Sequence, residues 1–187
     1  DVNSNAHQKL VLEAGKKSLV LLKNLDNILP LNKNLINKIA VIGPNAAIMQ
    51  TDGSGSSWVE PFYKISPKEG IEKYIGSSKV LYAKGCEISG TSYSSDLNNA
   101  LNYASQADVV IFFGGLDQTQ EGEGFDRVNN SIELPGKQKD LIKLLSGVNK
   151  NLIVVLISGG ICTVTPFIDD IKGLIYGFYP GQEGGNA

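Results

Sequence analysis

The run Asp108-Val109-Val110-Ile111-Phe112-Phe113-Gly114 is continuously apolar before it closes on glycine. A strand with one face in water would alternate apolar and polar residues, so this run reads as a strand buried on both faces. Runs of the same kind recur at 38–43 (KIAVIG), 79–83 (KVLYA), 152–158 (LIVVLIS) and 173–179 (GLIYGFY). Helical spacing fills the gaps between them. Residues 66–75 open with Ser66-Pro67, residues 96–106 carry Leu97, Ala100, Leu101 and Ala104, and residues 137–145 carry Leu141, Ile142, Leu144 and Leu145. Strand and helix alternate, which requires right-handed crossovers and predicts an α/β fold. The expected architecture is a mostly parallel open sheet of about five strands with helices on both faces. An amphipathic segment at 7–23, with Leu10, Ala14, Ser18, Leu21 and Leu22 available for packing, is expected to form a lead-in helix lying over the sheet.

The 187 residues, 42% of them hydrophobic, suffice for one core, so residues 1–187 are expected to form a single domain, with a lead-in at about 1–37 and an α/β sandwich at about 38–187. Seventeen basic and 19 acidic residues leave a net charge of -2 without a block of like charge. That balance points away from nucleic acid and anionic membranes and toward a weakly charged partner. His7 is the sole histidine, and Cys86 and Cys162 are the only cysteines. These are too few for a structural zinc site or a Ser-His-Asp triad, so no metal and no cofactor is expected. Whether the two cysteines meet is left open. No apolar run is long enough to cross a bilayer, and the start lacks a signal-peptide pattern. Opening at Asp1 and stopping at Ala187 after a glycine cluster, the chain is expected to be a segment of a longer protein.

In an open parallel sheet, ligands bind beyond the carboxyl ends of the strands. Those ends are glycine-rich here: Gly43-Pro44-Asn45, Gly114-Gly115-Leu116-Asp117, Ser158-Gly159-Gly160 and Pro180-Gly181-Gln182-Glu183-Gly184-Gly185. The third run leads into Gly115-Leu116-Asp117-Gln118-Thr119-Gln120-Glu121-Gly122-Glu123-Gly124-Phe125-Asp126-Arg127, which packs four carboxylates beside glycines and an arginine. A calcium loop counted from Asp117 would set Glu121 and Gly122 correctly but put Thr119 at the third position and Val128 at the twelfth, where an oxygen ligand is required. General acid/base chemistry suits it better: a glutamate on a glycine-flexed loop can enter an apolar cleft, where desolvation raises its pKa. Glu123, with glycine on either side, fits that role, and Asp126 with Arg127 would anchor the loop as a pair. A solvated acidic loop is the alternative. The loop Thr51-Asp52-Gly53-Ser54-Gly55-Ser56-Ser57-Trp58 matches neither phosphate-binding glycine pattern. Its hydroxyls beside the only tryptophan would suit a sugar, with Ser54, Ser56 and Trp58 as contacts, and a plain surface turn would suit it equally.

Further stretches carry a family resemblance. Leu19-Val20-Leu21-Leu22-Lys23-Asn24, Leu29-Pro30-Leu31 and Ile39-Ala40-Val41-Ile42-Gly43-Pro44-Asn45-Ala46 resemble the start of the second domain of family 3 β-glucosidases and β-xylosidases. In the same order follow the Gly53-Ser54-Gly55-Ser56 loop, Ser66-Pro67-Lys68-Glu69-Gly70-Ile71, Gly85-Cys86, the Gly115–Glu121 stretch, Asp126-Arg127, Leu134-Pro135-Gly136-Lys137-Gln138 and Tyr179-Pro180-Gly181-Gln182-Glu183-Gly184-Gly185. The resemblance covers nearly the whole chain. It implies a flavodoxin-like second domain of a retaining, exo-acting β-glycosidase whose site is shared with an N-terminal barrel that carries the aspartate nucleophile and is absent from the chain. By position, the general acid/base falls on Glu123, with Glu121 as runner-up, and Ser56 and Ser54 become candidates for contacts to the sugar in the first subsite. The implied substrate is an oligosaccharide or aryl glycoside ending in β-glucose or β-xylose, glucose being slightly favoured; the location is left open, with secreted or periplasmic favoured over cytoplasmic. The isolated chain is expected to be inactive. The family's domain continues past the Gly-Gly into a helix and a further strand, so the last layer is expected to be incomplete here. From another class, a non-catalytic flavodoxin-like ligand-binding module remains the competing reading.

Overall fold

A computed structural model describes residues 2–124, 127 and 131–187. Ten regular elements follow in order: α1 (Asn5–Ser18), β1 (Val20–Asn24), β2 (Ile39–Ile42), α2 (Pro67–Ile75), β3 (Val80–Ala83), α3 (Leu97–Gln106), β4 (Val109–Gly115), α4 (Gln138–Val148), β5 (Leu152–Ile157) and β6 (Gly173–Tyr176). They build one six-stranded sheet in the order β1-β6-β5-β4-β2-β3. The five strands from β2 onward are parallel, in the doubly wound order of flavodoxin-like sheets. The expected α/β class and parallel sheet are therefore present.

The sixth strand corrects the expected lead-in helix. Helix α1 stops at Ser18, whose Oγ donates to the Gly15 carbonyl, and Val20–Asn24 instead pairs antiparallel with β6 at the sheet edge. A short apolar run such as Leu19-Val20-Leu21-Leu22 satisfies helix and strand periodicity alike, and only the unpaired edge of β6 decides between them. Nor does α1 cover the sheet: Gly15, its one buried residue, lies against the Pro180 carbonyl and the Ala187 side chain.

Capping follows the local sequence. Ser66 accepts from the Glu69 backbone N–H at 3.3 Å while the Glu69 carboxylate accepts from the Ser66 N–H at 2.7 Å, a reciprocal box that starts α2 at Pro67. Two apolar clusters then sandwich the sheet. On one face Ala40, Ile42, Val110, Phe112, Val154 and Leu156 meet Ala100 and Ala104 of α3 and Leu141, Ile142 and Leu145 of α4. On the other, Ile39, Val41, Ile111, Phe113 and Ile153 meet Ile71 and Ile75 of α2. This second face is less fully covered, and an apolar groove of about 620 Å³ opens there between α2 and the turn at 180–187.

All seven residues of β4 are buried, in keeping with the continuous apolar run. Gly115 ends it with φ 123°, and a Cβ there would collide with the Ile157 carbonyl oxygen of β5, so the residue must be glycine. The buried Gln138 holds the same corner: its Oε1 accepts from the Gly115 N–H at 2.8 Å, and its Nε2 donates to the Gly115 carbonyl at 2.9 Å. The chain thus leaves β4 in a fixed direction, into the acidic loop.

Candidate active site

Four loops at the carboxyl edge of the sheet converge: those after β2, β4, β5 and β6. They enclose an open cleft of about 510 Å³ walled by Asp52, Ser54, Ser56, Glu121, Glu123 and Tyr179, with Gly53, Gly122 and Gly159 between them. The loops after β2 and β4 are joined through backbone bonds. Ser54 N–H donates to the Glu121 carbonyl at 3.0 Å, Glu123 N–H donates to the Ser54 carbonyl at 3.2 Å, and Ser54 and Gly122 form a parallel bridge. The buried Asp52 reinforces the junction by accepting from Gln118 Nε2 at 2.6 Å and from the Thr51 hydroxyl at 2.9 Å. A glycine-rich segment can take part in such a pairing because its backbone approaches closely without side chains in the way.

The two glutamates that sequence spacing could not fully separate occupy different surroundings. Glu121 accepts from the Gly159 N–H at 2.7 Å, from the Gly160 N–H, and from the Tyr179 hydroxyl at 2.5 Å. Burial, together with donation to Glu121, pushes the Tyr179 phenol well above its ordinary pKa. Glu123 is exposed on the cleft rim and accepts from the Ser56 N–H at 2.9 Å. Ser56, through its side chain and its N–H, holds the Glu123 carboxyl below the usual glutamate range. The sequence predicts that the loop carries this glutamate into an apolar cleft with a raised pKa. Within this chain the reverse holds, because Glu123 stands exposed at the mouth of an open cleft, and hydrogen bonds to the charged form outweigh the small desolvation.

The remaining candidates are placed unequally. The Ser56 N–H turns toward Glu123, whereas the Ser54 hydroxyl is committed to the Glu121 carbonyl at 3.2 Å. Trp58 ends the short 3-10 turn Gly55–Ser57, is 53% exposed, and stands outside the residues that wall the cleft. Arg127 donates to the Ile161 carbonyl at 2.5 Å and points Nη1 at the Cys162 sulfur, at 3.6 Å. Its expected partner Asp126 lies outside the described residues. In the sequence, Tyr179 is only part of a family landmark and Gly159-Gly160 only a pair of edge glycines. Nothing in their spacing showed that they would meet Glu121, since the contact is made across three strands. Cys86 and Cys162 are both free and buried. Among the described residues no group of three or more His, Cys, Asp and Glu is placed to hold a metal ion, and no helix is long and apolar enough to cross a membrane.

The profile of the Glycosyl hydrolase family 3 C-terminal domain matches residues 19–187. Probable beta-D-xylosidase 7 of Arabidopsis thaliana is 37% identical over 190 residues, covering 100% of this chain and 24% of that protein. Thermostable beta-glucosidase B of Acetivibrio thermocellus is 37% identical over 188 residues, covering 99% of the chain and 24% of its own length. The crystal structure of a family 3 beta-glucosidase from Bifidobacterium adolescentis superposes with a TM-score of 0.88 at 35% identity, over 99% of this chain and 26% of that one. The chain thus spans about a quarter of the length of these relatives. The family match over residues 19–187, together with these relatives, establishes that the chain belongs to glycoside hydrolase family 3, as the C-terminal α/β domain.

Proposed function

We propose that residues 1–187 act as one unit of a retaining exo-β-glycosidase, lending Glu123 as general acid/base to an active site completed by an N-terminal barrel domain. The observation that carries this reading is the contrast between the glutamates: both Glu121 oxygens are engaged by donors from two other loops, while the Glu123 carboxylate stands exposed at the cleft rim, held by Ser56. A covering partner is supported by the apolar side chains beside the cleft, with Trp58, Val59 and Phe62 at 53%, 64% and 67% exposure.

The chemistry follows from the two environments. Glu123 protonates the leaving oxygen while an aspartate of the barrel attacks the anomeric carbon; it then takes a proton from water, which releases the sugar from the covalent intermediate. A retaining pair stands roughly 5–5.5 Å apart. The docked barrel would remove water from Glu123 and set a second negative charge near it, and both effects raise its pKa from the depressed value held by Ser56. The substrate class is a terminal β-glucoside or β-xyloside, as an oligosaccharide or aryl glycoside. Substrates of this kind are released from polymers outside the cell, and a secreted or periplasmic location goes with them.

The test is Glu123→Gln in the full-length protein. Turnover of an unactivated aryl glycoside should fall by about 100- to 10,000-fold, the range for a lost general acid/base. Azide should restore turnover of an activated substrate as a glycosyl azide. Unchanged turnover would refute the assignment, and the chain by itself should hydrolyse neither substrate.

A further inference from the structure

We infer that Glu121 is a positioning residue: its carboxylate ties the loop after β4 to the loops after β5 and β6, and so sets where Glu123 stands. This rests on the acid/base role proposed for Glu123.

A carboxylate has two acceptor oxygens, and three donors from two other loops converge on those of Glu121. The turn that supplies two of them is itself held from below. The Gly160 carbonyl accepts from the Ser158 hydroxyl at 3.0 Å and from the Tyr176 hydroxyl at 2.5 Å, and the Cys162 N–H donates to the Tyr176 oxygen at 3.0 Å. Ser158 is fully buried and Tyr176 nearly so, which makes this network part of the core. Close packing leaves no room for a sugar oxygen between the partners: a Cβ on Gly160 would stand 2.6 Å from Glu121 Oε1, and one on Gly159 would stand 2.9 Å from the Tyr179 ring.

The tether lies two residues from Glu123, with only Gly122 between. Glycine transmits little stiffness by itself, so the position of Glu123 depends on anchors to either side. On the upstream side the anchor is Glu121. Across the cleft it is Ser54, whose carbonyl accepts from the Glu123 N–H at 3.2 Å and whose N–H is bonded to the Glu121 carbonyl. Glu121 thus connects Glu123 to the buried network under β5 and β6. The family resemblance leaves Glu121 as runner-up for the acid/base because it is acidic and two residues away; the donors around it assign the different role.

The test uses the full-length protein and three variants, Glu121→Gln, Tyr179→Phe and Glu123→Gln, on aryl glycosides with good and poor leaving groups. A displacement of Glu123 by about 1 Å costs on the order of 100-fold. Glu121→Gln is expected to lower kcat by about 10- to 100-fold with KM nearly unchanged, to displace the basic limb of the pH profile, and to show no azide rescue. Tyr179→Phe should move the same quantities in the same direction by less, and it decides the matter should Glu121→Gln fail to fold. Wild-type kcat and pH profile in a folded Glu121→Gln, or in Tyr179→Phe when it must decide, would overturn the positioning role while leaving an azide-rescued Glu123→Gln untouched. Azide rescue of Glu121→Gln in place of Glu123→Gln would overturn both assignments, a signature distinct from the first.

Discussion

Gly55→Ala should damage the active site without removing any group that does chemistry. Gly55 sits at φ 80° in the loop after β2, and a Cβ there would lie 2.5 Å from the Glu123 Cβ and 3.1 Å from the Glu123 nitrogen. Carbon atoms in ordinary contact are about 3.5–4.0 Å apart, so the loops must separate by roughly 1–1.5 Å. Two costs follow, and they are separable. Left-handed backbone on a non-glycine residue costs about 1–3 kcal/mol, or roughly 2–4 °C of melting temperature per kcal/mol for a domain of this size. Displacing Glu123 by about 1 Å should reduce kcat/KM by about 100-fold. Gly76→Ala provides the comparison: Gly76 has φ 97°, but no atom lies within 4 Å of its added Cβ, and it terminates α2 away from the cleft. Both variants should lose thermal stability, and only Gly55→Ala should lose activity, measured in the full-length protein on an aryl glycoside. If Gly55→Ala is as active as Gly76→Ala, the contact between the two loops does not set the position of Glu123.

Two further outcomes concern stability. Burial pushes Asp96 upward, but the Ser94 hydroxyl and the backbone N–H groups of Gly85 and Lys84 outweigh it and hold its carboxyl below the usual range. A folded pKa below the unfolded one means stability that is present above about pH 4 and lost as pH falls through the depressed folded value. Asp96→Asn should therefore cost about 1–3 kcal/mol near neutrality and flatten the acid limb of melting temperature against pH; a curve parallel to wild type would contradict this. Phe112→Ala should destabilise by about 3–5 kcal/mol, since Phe112 is fully buried between the sheet and α4. Exposed Phe62→Ala should cost far less, and equal losses in thermal melting would show that burial does not govern either site.

The chain's sequence by itself determined most of the framework. Five continuous apolar runs identified the five parallel strands to within a residue or three; a strand buried on both faces tolerates no polar position, and β3, half-buried at the sheet edge, keeps the same apolar pattern. Ser66-Pro67 marked the start of α2 for a local reason too, its cap being made within three residues. Glycines at the strand ends pointed to the edge where the cleft lies, and glycine flanks favoured Glu123 over Glu121 as the candidate acid/base. Tertiary structure alone decided the rest. Val20–Asn24 became a strand because β6 offered it an edge. Glu121 and Glu123, two residues apart and alike in chemistry, received different surroundings because Gly159, Gly160 and Tyr179 approach from other strands while Ser56 approaches from the loop after β2. Spacing encodes which residues share a loop; the donors that reach each carboxylate are set by the register and order of the sheet that brings four loops to one edge.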